Sequence, residues 1–183
     1  MNLITMLVVH PFDPSTEFLD VLYDCQEGIR RLRGEESRNQ LGSILYHLPH
    51  GESVMLLGHG SQSGLFRPED GGNGLYVGKS FAYTLRRHLV IGVFCHANLF
   101  AESIKLHGLF SGMIVSELEE ALEYGIPTTA RELERENRIF AKTLAGFLHA
   151  EVPYREIPTL MRASVGDEAP EVRKYNYNSL YFF

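Results

Sequence analysis

Apolar positions in this chain cluster in short blocks. Four runs, "LITMLVV" (3–9), "SVMLLG" (53–58), "LVIGVF" (89–94) and "LFSGMIV" (109–115), lack polar alternation and are bounded by turn residues. Such runs predict strands buried on both faces, as in a parallel sheet covered by helices on two sides. Between them the apolar spacing changes to three and four. From Phe18, the positions Leu22, Cys25, Ile29 and Leu32 form one helical stripe, which also places Cys25 in the core. Asp13 and Pro14 supply an N-cap and first-turn proline for that helix. Arg30, Arg31 and Arg33 then read as its solvated end.

"RNQLGSILYHL", with Leu41, Ile44, Leu45 and Leu48 inward, is the next predicted helix, followed by "KSFAYTLRRH" and by "HANLFAESIKLHG", which Gly108 ends. Ser116 with Glu119, and Thr129 with Glu132, match the capping-box spacing, so "ELEEALEY" and "ARELERENRIFAKTLAGFLHA" are predicted as two helices broken by "GIP". Gly71, Gly72 and Gly74 with Asn73 make "FRPEDGGNGLYVG" (66–78) a hairpin or loop. "ASVGDEAPE" reads as a loop, and the aromatic tail "YNYNSLYFF" as an added edge strand. Strands alternating with helices predict a single α/β domain over residues 1–183, three layers deep, with a mainly parallel sheet.

Composition is that of a globular domain: 183 residues, 44% hydrophobic and 22% charged, enough for a core without metal or disulfide staples. The net charge of −6 argues against a nucleic-acid footprint, which needs clustered Lys and Arg. Two cysteines in unlike contexts read as reduced thiols in a cytoplasmic setting. "MNLITMLVVHPFDP" lacks a basic leading region and reads as a first strand, not a signal peptide. No window approaches the length of an apolar membrane span. A soluble chain without membrane or nucleic-acid partners is the expectation.

In open α/β sheets, functional groups collect beyond the carboxyl ends of strands. Two core strands here end in reactive side chains, one in His59-Gly60 and the other in Cys95-His96. If those strands are neighbours, imidazole and thiol emerge side by side. An adjacent imidazole can take the thiol proton, which gives a nucleophile and its general base. The Gly60 and Cys95 amides could hold the oxygen of an attacked carbonyl. A helix starting after Cys95 would lower the thiol pKa further.

The strand ending in "LLGHGS" and the strand ending in "IGVFCHANLF" together resemble the caspase-like cysteine peptidases, a group that includes caspases, metacaspases, clostripain, separase and CHAT peptidases. The order of elements is similar from Met1 to His149. The resemblance implies a caspase-like fold and hydrolysis of peptide or protein substrates, with no cofactor. His59 is then the general base, Cys95 the nucleophile, and the Gly60 and Cys95 amides the oxyanion donors. By analogy of position, Asp13 and Glu17 after the first strand, with Ser116 and Glu117 after the fourth, would line the pocket for the residue before the cut. Carboxylates there favour a basic residue, although Asp13 also serves as a helix cap. The sequence departs from caspases after Cys95, where His96-Ala97-Asn98 replaces their small Arg-Gly or Gln-Gly segment.

Blander readings stand beside this one. His59 alone is a turn histidine satisfied by backbone, and Cys95 alone is a buried strand-end thiol. A relative that keeps the fold and loses turnover would be an interaction module. "LLGHGS" also resembles the histidine signature of tetrapyrrole chelatases, but that signature belongs on a first strand and leaves "FCHAN" unexplained. His59, Cys95 and His96 are too few for a metal site without supporting ligand spacings, so no metal is expected. "GSQSG" places Gln62, not serine, at the centre of a would-be nucleophile elbow.

Overall fold

The computed structural model describes residues 6–24, 26–69 and 72–183. Its strands are β1 (Met6–Val9), β2 (Ile29–Leu32), β3 (Ser53–Leu57), β4 (Gly60–Ser61), β5 (Gly64–Glu69), β6 (Gly72–Gly78), β7 (Leu89–Val93), β8 (His107–Ser111) and β9 (Leu180–Phe182). The α-helices are α1 (Arg38–His47), α2 (Ala82–Leu85), α3 (Ala97–Ile104), α4 (Leu118–Glu123), α5 (Ala130–His149), α6 (Ile157–Ala163) and α7 (Glu171–Asn178). Six strands form the central sheet in the order β2-β1-β3-β7-β8-β9, every pair parallel except β8 with β9.

Side chains of successive strand residues point to opposite faces, so the apolar runs feed two cores. Leu7, Val9, Val54, Leu56 and Val90 face one way and pack with Leu41, Leu45, Leu85, Phe100 and Ile104 from α1, α2 and α3. Val8, Met55, Leu57, Ile91 and Val93 face the other way, against Leu19, Leu22, Phe140, Leu144 and Met161. The predicted layering of helices on both faces of a mostly parallel sheet is present. Among the described residues no helix is long and apolar enough to cross a membrane.

The stripe from Phe18 to Leu32 is not one helix. Asp13 does cap a helix, its carboxylate accepting from Ser15 N, and Pro14 does open it, but that 3-10 helix ends at Leu22. Gly28 then takes a left-handed conformation (φ 75°) that turns the chain into β2, which pairs with β1 from Met6↔Ile29 to Val9↔Leu32. Arg30 and Arg31 therefore lie exposed on an edge strand, not at a helix end. Cys25 and residues 3–5 of the first run lie outside the described residues.

The glycine-rich segment is a hairpin within a three-stranded antiparallel sheet, β4-β5-β6, that stands off the end of β3; its turn at 70–71 lies outside the described residues. In the tail only Leu180–Phe182 is strand. The preceding Tyr175–Asn178 belongs to α7, held by the buried Asn176, which accepts from Val115 N (2.8 Å) and donates to Val115 O (2.9 Å).

Candidate functional site

Four segments leave the carboxyl rim of the sheet together: Pro11–Ser15 after β1, Gly58–His59 after β3, Phe94–Cys95 after β7, and 112–117 after β8. β3 and β7 are adjacent and parallel, with Leu57 paired to Val93. His59 and Cys95 each lie two residues past that pair, so the shared direction of the strands delivers both to one place. They line the same small cavity, about 20 Å³, with Thr16, Leu19, Ile114 and Ser116.

Each reactive group is already engaged. His59 Nε2 lies 2.7 Å from Ser15 Oγ, with Asp13 Oδ2 at 3.8 Å and Glu117 Oε1 at 3.7 Å. Ser15 Oγ donates to Asp13 Oδ1 (2.8 Å). Burial raises the Asp13 pKa, but the two Ser15 hydrogen bonds and the nearby His59 outweigh it and hold the carboxyl below its ordinary range. The Cys95 thiol donates to Ile114 O (3.5 Å) and to Glu120 Oε1 (3.7 Å).

Those surroundings reverse the expected shift of the thiol. Burial, then the Glu120 carboxylate, push the Cys95 pKa up to about 12. The start of α3 does not offset them. Its N-cap is His96, which holds a left-handed conformation (φ 61°), so that Cys95 sits in the tight turn closed by Ala97 N to Phe94 O (3.1 Å).

Both amides assigned to an oxyanion lie at this rim. The neighbours of Cys95 are taken, Phe94 N by Ser111 Oγ (3.0 Å) and His96 N by Gly112 O (3.0 Å), while the Cys95 amide has no partner among the described residues. Gly60 presses directly on Phe94, leaving no space for a side chain.

A larger groove, about 750 Å³, adjoins the cavity and shares Phe18 and Ser116 with it. Of the four residues assigned to a substrate pocket, Glu17, Ser116 and Glu117 line this groove, and Asp13 stands beside His59. Asp20, Asp24 and Glu134 add carboxylates, countered by Arg33 on Asp20 (3.1 Å), Arg31 on Asp24 (3.8 Å) and Arg138 on Glu134 (2.6 Å). Asn137 also lines it and is 6% exposed; its Nδ2 donates to Ser116 O (2.9 Å) while its Oδ1 has no partner.

Ser15, Glu120 and Asn137 were not singled out from the sequence. Asn137 was legible in principle, as one of two polar residues, with Glu136, on the mostly apolar buried face of α5. Among the described residues no group of three His, Cys, Asp or Glu side chains converges as a metal site. No protein-family model matches the chain, and no curated protein matches it.

Proposed function

We propose that this chain is a caspase-like cysteine peptidase with Cys95 as nucleophile and His59 as general base. The observation that carries the reading is that two residues 36 positions apart leave adjacent parallel strands and line one cavity. Cys95 Sγ attacks the peptide carbonyl as its proton passes to His59, and the Gly60 and Cys95 amides hold the oxyanion. His59 then protonates the leaving amine, and water hydrolyses the thioester. No cofactor enters this scheme.

The groove supports a basic residue next to the cut. Glu17 and Glu117 line it without an Arg or Lys partner among the described residues, so their carboxylates are free to pair with a guanidinium or ammonium. The test is hydrolysis of fluorogenic peptides carrying Arg, Lys or Asp before the reporter, by the wild type and by Cys95→Ala and His59→Ala. Cleavage after Arg or Lys, lost in both variants, is the expected result. Turnover indifferent to Cys95 would sink the reading.

A second reading is favoured by the sulfur's own setting. A thiol raised to about 12 and donating to a backbone carbonyl is the state of a structural cysteine. On this reading the chain is a caspase-like interaction module without turnover, and it cleaves none of the peptides.

A further inference from the structure

We propose that Glu120 is a latch that keeps Cys95 unreactive in the resting chain, released when the start of α4 moves away from the rim. The cavity shared by Cys95 and His59, about 20 Å³, has room for one water and not for a peptide carbonyl. A substrate reaching the half-buried sulfur therefore needs the rim to widen, and Ser116, which lines the cavity, also holds Glu120 at the start of α4. Both partners of the thiol are acceptors, Ile114 O and Glu120 Oε1, so the thiol is held in its protonated form. A carboxylate beside it opposes the charge that a thiolate would carry.

The latch has a fastening. The other oxygen of Glu120, Oε2, accepts from Ser116 N (2.8 Å), Ser116 Oγ (3.2 Å) and Glu117 N (3.1 Å). Ser116, Glu117 and Leu118 also line the acidic groove, so an occupant of the groove would touch the residues that hold Glu120 in place. The element is lightly attached. Of the six residues of α4 only Ala121 is buried, while Leu118 and Leu122 are 41% and 74% exposed. A helix with so little buried surface can shift at small cost.

The proposal gives the latch a purpose through the peptidase reading, yet its test does not need turnover. The measurement is the rate of iodoacetamide alkylation of the intact protein at pH 7.5, with Cys95 and Cys25 resolved by peptide mass spectrometry. Glu120→Gln is expected to raise the Cys95 rate about tenfold or more while the Cys25 rate and the thermal midpoint stay put. Ser116→Ala, which removes one fastening, should raise it less, and Glu123→Gln on the same helix should leave it unchanged. Should Glu120→Gln fail to fold, Ser116→Ala decides the question. An unchanged or slower Cys95 rate in the folded variant overturns the latch. Faster alkylation without any peptide cleavage keeps the latch and removes the peptidase.

Discussion

Gly60 lies flat against Phe94. A methyl group placed on Gly60 would sit 2.4 Å from Phe94 Cδ2 and 2.6 Å from Gly64 O. This contact seats the β4-β5-β6 sheet on the turn that carries Cys95, so that sheet and the Cys95 turn pack directly together. Gly60→Ala is expected to cost about 3 kcal/mol in urea unfolding, since neither a fully buried ring nor a backbone oxygen can yield cheaply. A loss below about 0.5 kcal/mol would show that the hairpin lifts freely from the rim.

His10, 1% exposed at the end of β1, should make stability fall as the solution is acidified. Its Nδ1 lies 3.0 Å from both Tyr23 Oη and Asp20 Oδ1, and its Nε2 lies 3.2 Å from Thr16 Oγ1. Burial lowers its pKa from 6.5 to about 4, against the attraction of Asp20 and with help from Arg33 and Arg31. The unfolded chain therefore binds the proton first. Stability is fully present above pH 6.5 and is lost as pH falls toward 4. At ~1.4 kcal/mol for each pH unit between the two values, the span is worth about 3 kcal/mol. Urea midpoints between pH 7 and pH 4 should slope steeply in the wild type and less in His10→Gln; equal slopes would rule the residue out.

The buried carboxylate of Glu136 on α5 is held by Arg173 on α7 through two contacts of 2.6 and 3.0 Å. Arg173→Met leaves that charge with only the exposed Arg135 and should cost about 3 kcal/mol. Adding Glu136→Leu should recover most of the loss, because removing both charges also removes the desolvation penalty. A double-mutant cycle of thermal midpoints reads this, and strict additivity would contradict it.

His96 turns the chain with φ 61°, a conformation that a β-branched residue resists strongly. His96→Val is expected to lower stability by about 2 kcal/mol and His96→Gly to leave it nearly unchanged. Equal effects of the two substitutions in chemical denaturation would show that the turn can rearrange.

The doubly buried strands were legible because an unbroken apolar run has few other uses, and β3 and β7 fall at 53–57 and 89–93 within the runs that predicted them. Their adjacency was a condition that the sequence posed and could not meet alone. β2 was not legible, because an edge strand of four residues with two exposed arginines shows neither a run nor an alternation. The helix over Tyr175–Asn178 was hidden by residues of weak helical preference, overridden by the tertiary bonds of Asn176. At the rim, the capping-box spacing named Ser116 and Glu119, whereas the helix starts one residue later and uses Glu117 and Glu120. In the observed register it is Glu120 whose Oε1 lies 3.7 Å from Cys95 Sγ.

The two outer strands of the central sheet end it in different ways. On one side Arg30 and Arg31 project from β2, so a second chain attempting to add a strand there would have to bring its own arginines into register against like charges and strip their water. On the other side β9 offers only three residues, too short a template for a stable ladder. Neither border of this apolar sheet therefore offers a long, uncharged template for an added strand.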